Sequence, residues 1–419
     1  MRTGSCSAGY RRPRGPCSLP LRRSSPPRQE SWARWGGIDL DLVDSARRNN
    51  TSECVECGKC SYACPAAHRD NRFSPRRVME DFVSGKELDH WEIWSCMTCG
   101  ACSEVCTSGV TFHEFIRDVR ADNNSRFPPI QSHNGILREI RRTEAEGRTK
   151  GHRADWVTPD LELDPNSDTV LFIGCTPLFD QLFNAFAKGM LEMPRSAVRL
   201  LNAMGIRPML LDEELCCGHD SYWLGEEETF TKLARLNAES LKRSEAKRVV
   251  TFCPECHHTL KDIYPRVVPG FDMDVVNLSE LLAKAVEEGR LELSSSEDRF
   301  TYHDPCKLVR FAGLLEEPRV VVNACGELRE MPRSGASSAC CGNPCWANCD
   351  DDTKRWQVER LKEARDTGAE TLVTACPKCF VHLSCAQKDY GSHKDRERIP
   401  LMDLHVLAAS RLRNSDKKT

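Results

Sequence analysis

The chain has 419 residues, of which 62 are acidic and 59 are basic, so its formal net charge is −3. This length predicts two or three domains, and the near balance of charge argues against nucleic acid as a partner. No apolar run approaches the roughly 18 residues of a membrane-spanning helix, so we do not expect the chain to cross a bilayer. The 24 cysteines are its most unusual feature. Because no secretory signal peptide opens the chain, they favour metal ligation over disulfides.

Residues 1–36 differ in composition from the rest of the chain. They contain eight arginines, five prolines and a single acidic residue, Glu30. Such a segment has little apolar surface to bury, and we expect it to be a disordered extension. Its arginine content resembles that of a transit peptide, but no amphipathic helix accompanies it. No role is assigned to Cys6 and Cys17, which lie in this segment.

A cysteine pattern of the form Cys-x2-Cys-x2-Cys-x3-Cys occurs twice between residues 54 and 106. Three cysteines on one tight turn can bind three corners of a [4Fe–4S] cube, and the fourth lies too far along the chain to close the same cube. Each fourth cysteine is therefore expected to bind the other cluster. One cluster is assigned to Cys54, Cys57, Cys60 and Cys106, and the other to Cys96, Cys99, Cys102 and Cys64. Zinc is the alternative, but zinc sites close with pairs of cysteines and do not need this triplet.

Helical patterns surround these eight cysteines. Ser74 is a suitable N-cap before Pro75, which predicts a helix between the two cysteine runs. We interpret this part of the chain as a helical domain, followed by a connector with little periodicity. The predicted segments are a ferredoxin-like domain at residues 37–120 with a helix at 112–119, and a connector at residues 121–168 with one helix around 134–144.

The C-terminal two-thirds of the chain contain a five-cysteine set twice. In each set a lone cysteine is followed by Cys-Cys-Gly and then by Cys-Pro-x-Cys. The intervals agree, with 41 and 34 residues before the pair and 36 and 35 after it. Ten cysteines in two matched sets are not expected from scattered buried thiols. The first five-cysteine set is Cys175, Cys216, Cys217, Cys253 and Cys256, and the second is Cys306, Cys340, Cys341, Cys376 and Cys379.

Strand and helix patterns alternate around both sets. This alternation predicts parallel sheets, whose ligands lie at the carboxyl ends of the strands. Each unit is therefore expected to hold one cluster where its strands end. The predicted strands are residues 169–174, 207–211 and 248–252 in the first unit (residues 169–290) and residues 299–303 and 370–374 in the second (residues 298–412), with helices at 178–192, 195–204, 226–244 and 352–367 and another from residue 317.

Four further cysteines follow the front runs without belonging to either set. Cys325 and Cys385 fall in helical patterns and are interpreted as buried apolar residues. Cys345 and Cys349 follow the second Cys-Cys-Gly closely enough to lie beside its cluster, but we favour a structural role for both.

Together these motifs resemble a known family. The two five-cysteine sets are similar to the cysteine-rich CCG domains of heterodisulfide reductase, and the front eight cysteines are similar to its small ferredoxin-like subunit. Here both kinds of motif are on one chain, and their order over residues 50–410 resembles that of the fused D-type subunit. All eighteen expected cysteine ligands are present. The resemblance implies an α+β multidomain fold, in which a helical two-cluster ferredoxin-like domain precedes two duplicated α/β CCG domains related by a pseudo-twofold. It also implies two cubane [4Fe–4S] clusters and two non-cubane [4Fe–4S] clusters, one on each five-cysteine set.

The resemblance further implies an iron–sulfur oxidoreductase that reduces a disulfide, which in that family is the CoB–CoM heterodisulfide of methanogenesis. Electrons would enter at the ferredoxin-like domain, and two facing clusters could each supply one electron and hold one sulfur. The candidate catalytic residues are His219, His303 and Lys307 as proton donors, and the alternative for each is a structural hydrogen bond. We expect the clusters to face each other across a shared cleft, with Lys307 at its rim as a point charge for an anionic substrate.

Two other function classes fit this layout or this composition. An electron-relay subunit of a glycolate or lactate oxidase, or of a sulfite-reductase-type membrane complex, would pass electrons to flavin, quinone or a small protein disulfide. A structural zinc protein would use the cysteines without redox work. The expected partners are a membrane cytochrome b or flavoprotein subunit and the disulfide substrate, without nucleic acid. The expected location is cytoplasmic, or peripheral on the inner face of the membrane through that subunit.

Overall fold

The computed structural model describes residues 42–69, 73–149, 154–342, 345–347, 349–390 and 398–413, apart from the side chains of Arg69 and Tyr390. The predicted extension of residues 1–36, with Cys6 and Cys17, lies outside this part of the chain and stays a prediction. Within the described residues, no helix is long and apolar enough to cross a membrane.

Helices alone form the part of the described chain that precedes the first strand. Ser74 begins one of them as predicted, because its hydroxyl accepts a hydrogen bond from the backbone N–H of Arg77 (3.2 Å) and Pro75 occupies the first helical position. The α-helices are α1 (Leu42–Arg48), α2 (Lys59–Ala63), α3 (Pro65–Arg69), α4 (Pro75–Val83), α5 (His90–Trp94), α6 (Ala101–Glu104), α7 (Phe112–Asn123) and α8 (Ile136–Ala145), with 3-10 turns at Thr51–Glu53 and Ser132–Gly135. We call residues 37–120 the front domain.

The first CCG unit is built on a parallel three-stranded sheet in the order β1-β2-β3. Its elements are β1 (Thr169–Phe172), α9 (Thr176–Phe183), α10 (Glu192–Ala203), α11 (His219–Trp223), α12 (Glu227–Arg243), β2 (Arg248–Thr251), α13 (Pro254–His258), a π-helical turn (Thr259–Ile263), α14 (Tyr264–Val267), β3 (Asp274–Asn277) and α15 (Leu278–Glu287).

Two predictions in this unit were wrong. The strand predicted at residues 207–211 is reduced to one bridge, in which Met209 exchanges backbone hydrogen bonds with Thr169 and Leu171 (2.8 and 2.9 Å). Pro208 faces away from β1, and its carbonyl accepts a hydrogen bond from the N–H of Asp164 (3.3 Å). The helix predicted at residues 178–192 ends at Phe183, whose carbonyl accepts two turn hydrogen bonds instead.

The second CCG unit repeats the plan with a parallel four-stranded sheet in the order β5-β4-β6-β7. Its elements are β4 (Arg299–His303), a π-helical turn (Lys307–Phe311), α16 (Glu317–Cys325), β5 (Glu327–Leu328), a 3-10 turn (Gly335–Ser337), α17 (Asp351–Asp366), β6 (Thr371–Thr374), α18 (Pro377–Tyr390), β7 (Leu401–Asp403) and α19 (Leu404–Ser410).

Buried apolar clusters join the front domain to the first CCG unit and the two CCG units to each other. One cluster combines Phe115 of α7 with Trp223 of α11, and another combines Leu282 of α15 with Val321 of α16. Complete burial of one such side chain stabilises the fold by about 1.5–3 kcal/mol. In addition α15 packs on α16, and α10 packs on α19. A cysteine of the two sets follows the end of each of these four strands within three residues: β1, β2, β4 and β6.

Candidate metal centres and the space between them

The glycine of each Cys-Cys-Gly motif gives the pair its geometry. Gly218 and Gly342 have φ values of +83° and +96°, and a Cβ on Gly218 would lie 2.7 Å from the Phe230 ring. This turn directs the glycine N–H back at the first cysteine of the pair. The N–H of Gly218 donates to the Sγ of Cys216 and that of Gly342 to the Sγ of Cys340, both at 3.4 Å. A thiolate at either position is therefore stabilised by a backbone donor.

Each Cys-Pro-x-Cys motif begins a helix. Cys253 is the N-cap of α13 with Pro254 in the first helical turn, and Pro377 likewise begins α18 directly after Cys376. The backbone N–H of Cys379 donates to the Sγ of Cys376 (3.5 Å), so that sulfur takes the place of a capping oxygen. The positive end of the helix dipole also favours thiolates there.

The first five-cysteine set is gathered around one buried cavity. The Sγ atoms of Cys175 and Cys216 lie 3.5 Å apart, as do those of Cys217 and Cys256. All five cysteines of the set line this cavity. Glu144 of α8 supports the set by accepting a hydrogen bond from the Cys216 N–H (3.0 Å), so the connector helix takes part in the site.

The second five-cysteine set surrounds another cavity, which all five of its cysteines line. Cys345 also lines it and is only 2 % exposed, so it lies closer to the second set than we expected. Cys325 is buried in α16, as predicted. Cys385 is half-buried and accepts a hydrogen bond from Lys354 (2.8 Å), so it is not the simple apolar residue predicted.

The front cysteines are arranged across the two runs. Burial raises the pKa of Cys64, and the neighbouring thiols of Cys99 and Cys96 raise it further. Cys102 has a raised pKa for the same reasons, with Cys64 among its neighbours. Cys64 thus lies beside the second run rather than only beside its own. The backbone N–H groups of Thr98 and Val110 donate to the Sγ atoms of Cys96 and Cys106, both at 3.3 Å.

These donor sets fit iron–sulfur clusters. Thiolates are soft ligands that select iron–sulfur, zinc or copper(I), and the backbone N–H groups on several sulfurs stabilise the negative charge that a cluster brings. The eight front cysteines and the ten of the two five-cysteine sets are free thiols that could hold such clusters.

Three side chains line both cavities: His219, Glu255 and Lys378. The Nζ of Lys378 lies 2.7 Å from Oε2 of Glu255 and also donates to Asp220. Burial by itself lowers the pKa of Lys378, but Asp220 and Glu255 outweigh it and raise the pKa above its ordinary value. The ammonium is therefore held charged beside Asp220 and Glu255, and burial raises the pKa of the Glu255 carboxyl itself to about 8.

The three predicted catalytic residues lie in different surroundings. His219 lines both cavities, with Nε2 3.4 Å from Oε1 of Glu255, and burial and then Lys378 hold its pKa well below the ordinary value. His303 is absent from the described lining of either cavity, because it lies behind Cys341.

Lys307 lines the second cavity, but it is only 3 % exposed and does not lie at an open rim as expected. Its Nζ packs over the rings of Trp223 (3.7 Å) and Phe311 (3.5 Å) and donates to the carbonyl of Thr98 (3.1 Å). Burial lowers its pKa to about 8. These contacts use the ammonium to join the second CCG unit to the front domain.

Another contact brings the loop that carries Thr98 and Cys99, which we call the front loop, against the second set. Arg310 donates to the carbonyl of Cys99 (3.1 Å), and Cys99 packs in one buried cluster with Cys340. The second five-cysteine set is therefore adjacent to the front cysteines.

Sequence reasoning missed most of the polar residues around the sets. The opposite charges at the variable positions of the two Cys-Pro-x-Cys motifs were a visible signal for Glu255 and Lys378. The others carry no local signal, because their partners are far along the chain: Asp220, Glu144, Arg360 and His382.

Family models identify the two kinds of domain. The model of the CCG cysteine-rich domain matches residues 169–261 and 300–384, and that of the 4Fe-4S dicluster domain matches residues 50–110. Together they span more than half of the chain. The chain belongs to the D-type heterodisulfide reductase family of iron–sulfur proteins. Members of this family are oxidoreductase subunits, and the iron–sulfur cofactors predicted from the cysteine pattern agree with both domain models.

Individual relatives agree with this assignment. The D-type subunit of dihydromethanophenazine:CoB–CoM heterodisulfide reductase from Methanosarcina barkeri is 29% identical over 397 residues, which cover 84% of this chain and 92% of that protein. A probable membrane-anchored ferredoxin of Chromohalobacter salexigens is 30% identical over 412 residues, which cover 87% of this chain and 60% of that protein. The EtfAB:quinone oxidoreductase of Syntrophomonas wolfei is 25% identical, over 82% of this chain and 55% of that protein.

Proposed function

We propose that the chain reduces a disulfide in the space between its two five-cysteine sets, with electrons that enter through the front domain. The observation that carries this proposal is the contact between Glu255 and Lys378, which occupy the same position of the two Cys-Pro-x-Cys motifs. This contact supports an arrangement in which the two sets face each other. The first candidate substrate is the CoB–CoM heterodisulfide, which the name of the Methanosarcina relative contains.

The helix contacts support a pseudo-twofold relation between the CCG units. In chain order α10 corresponds to α16, and α15 corresponds to α19. The observed contacts are α15 with α16 and α10 with α19. A twofold axis produces this reciprocal pattern. If a helix of the first unit meets a different helix of the second unit, the axis requires their counterparts to meet as well.

The ligand assignment remains that of the cysteine pattern. Once bound, the clusters accept and release single electrons, and the chain holds them out of water and stabilises charge on their thiolates. We propose one cubane on Cys54, Cys57, Cys60 and Cys106, one on Cys96, Cys99, Cys102 and Cys64, and one non-cubane cluster on each five-cysteine set. The domain limits proposed are residues 37–120, 121–168, 169–290 and 298–412.

The predicted catalytic residues receive separate roles in this proposal. His219 lines both cavities and is suited to contact a disulfide that spans them. Lys307 joins the front loop to the second set through Thr98. His303 acts on the sulfur of Cys341 instead of on the substrate.

An electron relay to quinone or flavin is the second candidate function. Among the described residues that line the two cavities, the lysines are Lys307 and Lys378, and both ammonium groups are engaged within the protein. This favours a substrate with fewer negative charges than a multiply anionic thiol conjugate. The name of the Syntrophomonas relative contains quinone. Both candidate functions include a redox partner subunit, which is either a cytochrome b or a flavoprotein. In both, this subunit would hold the chain at the inner face of the membrane.

The test compares Cys217→Ala and Cys341→Ala with the parent, using reduced methyl viologen as donor. The acceptors are the CoB–CoM heterodisulfide, a small uncharged disulfide and a water-soluble quinone. We expect both variants to lose disulfide reduction while the front clusters still accept electrons, as followed by electron paramagnetic resonance (EPR). Cys325→Ala is the control and should reduce disulfide at the parent rate. If the parent reduces quinone but neither disulfide, the relay is favoured. If the Cys217 or the Cys341 variant reduces disulfide at the parent rate, a site made by both sets is refuted.

A further inference from the structure

Two imidazoles lie beside the sulfur of Cys341 in the second set. Among the described contacts of its counterpart in the first set, Cys217, there is no imidazole. His382 Nδ1 lies 3.4 Å from the Cys341 sulfur, and a ring nitrogen of His303 lies within 4.8 Å of the same sulfur. His303 lies three residues before Cys306, the lone cysteine of the second set. The equivalent position in the first unit, three residues before Cys175, is Phe172. The two sets therefore have the same cysteines in different surroundings.

The first unit also lacks a counterpart of His382. Thr259 follows its last cysteine by the same three residues. Its hydroxyl donates to the carbonyl of Glu255 (2.7 Å) and contacts His219 (3.2 Å). The nearby hydroxyl of Tyr264 donates to the backbone carbonyl of Cys217 (3.0 Å) and not to its sulfur.

Arg360 determines which nitrogen of His303 carries the proton. Its Nε donates to Nδ1 of His303 at 3.0 Å. A guanidinium can only donate, so Nδ1 must accept and the proton must be on Nε2. Because Nδ1 is already used, Nε2–H is the ring group left to donate to the nearby sulfur of Cys341.

The Arg360 side chain is held in place from several sides. It is fully buried, its Nη1 donates to the carbonyl of Arg333 (2.7 Å) and pairs with Glu363 (2.8 Å), and its Nη2 donates to Ser338 (3.3 Å). A side chain fixed in this way keeps the imidazole of His303 in one tautomer and one orientation.

We propose that Arg360, His303 and His382 make the second five-cysteine set the site of higher reduction potential. Hydrogen bonds to the sulfurs of an iron–sulfur site stabilise the negative charge that reduction adds, and so raise its potential. The second set also adjoins the front loop through Cys99 and Cys340. An electron from the front domain is therefore retained at the second set until another arrives. The inference deepens the proposed function and rests on its assignment of one cluster to each set.

The first experiment uses the parent protein, in which the potentials of the two CCG sites are measured by EPR-monitored redox titration. The two sites are assigned by the signals lost in Cys217→Ala and in Cys341→Ala. We expect the site lost in Cys341→Ala to have the higher potential. Equal potentials, or the reverse order, would overturn the inference while leaving disulfide reduction intact. Absence of iron from both sets would instead refute the proposed function.

The second experiment removes and restores the N–H donors. His382→Phe and His303→Phe should lower the reduced fraction of the second site about tenfold at a fixed ambient potential, which is about 59 mV for a one-electron couple. His382→Asn and His303→Gln place an amide N–H near the positions of Nδ1 and Nε2 and should restore most of the loss. His405→Phe removes a buried imidazole that contacts Asp403 and Ser279, and should shift neither site.

A structural role would give a different result. If the histidines only support folding, the Phe variants would lose iron or stability, and those that retain iron would titrate at the parent potential. The potential of the second site in His382→Asn compared with His382→Phe therefore decides between the two roles. No difference between these two variants would overturn the assignment of His382.

Discussion

The ammonium of Lys378 lies 2.7 Å from the carboxylate of Glu255, although 123 positions separate the two residues in the chain. Each is the variable residue of its own Cys-Pro-x-Cys motif, so the contact joins equivalent points of two repeats. Both side chains are largely out of water, and Asp220 completes the group. The duplication has therefore acquired opposite charges at a position where the repeats meet.

Removing the cation from this group should destabilise the protein. In Lys378→Met, Asp220 and Glu255 lose their buried counter-ion, and we expect a loss of about 3–5 kcal/mol in the free energy of unfolding. The measurement is thermal unfolding of the anaerobically purified protein. Arg243→Met, which breaks an exposed pair with Glu213, is the control and should cost less than about 1 kcal/mol.

Exchanging the two charges separates their interaction from general packing. The double variant Glu255→Lys with Lys378→Glu should recover part of the stability lost in Lys378→Met, because opposite charges again face each other. A double variant no more stable than the single one would show that the contact does not depend on charge.

Cys64→Ala should damage the cluster whose other ligands are in the second front run. Cys64 lies beside Cys96, Cys99 and Cys102, so its loss opens that site and leaves Cys54, Cys57 and Cys60 with their own cluster. EPR and Mössbauer spectra of the variant check this outcome. Loss of the Cys54–Cys60 cluster alone would contradict the crossed assignment.

The anaerobically reconstituted protein should contain about sixteen irons and sixteen sulfides, since four clusters of four irons are proposed. Chemical iron and sulfide analysis gives the count directly. Cys325→Ala should not change it, because Cys325 is buried in α16 away from the sets. Iron near eight per chain would exclude clusters on the five-cysteine sets, and a few zinc ions without iron would indicate a structural zinc protein.

Stability should fall as the pH rises from 4.5 to 7 because of Glu227. Burial raises its pKa to about 7, against the opposing effect of Arg117, which contacts it at 3.2 Å. A carboxyl whose pKa is raised in the folded state favours folding below its unfolded pKa. That contribution is lost as the pH passes through the folded value.

Glu227→Gln should therefore weaken this pH dependence, by about 1–3 kcal/mol between the two limits. The check is the midpoint of urea unfolding, compared at pH 5 and pH 7.5. Glu228→Gln changes the neighbouring exposed carboxyl and should leave the parent's dependence in place. Identical profiles for the parent and Glu227→Gln would rule out Glu227 as the cause.

Much of the cysteine chemistry could be predicted from the sequence because it is local. A Cys-Pro-x-Cys that begins a helix, and a glycine with positive φ after a cysteine pair, depend on residues within one turn of each other. The alternating strands and helices were predictable for the same reason. The exception is residues 207–211, where the described backbone pairing with β1 is the single bridge at Met209.

The tertiary structure decided what depends on residues far apart in the chain. The position of Lys307 follows from Trp223 and Thr98, which replace an open rim with a buried contact. The tautomer of His303 follows from Arg360, 57 positions away. Spacing determines which cysteines can share a site, since short intervals restrict the backbone. Only packing of the two units determines which charges and donors surround that site, because those partners meet only after the chain has folded.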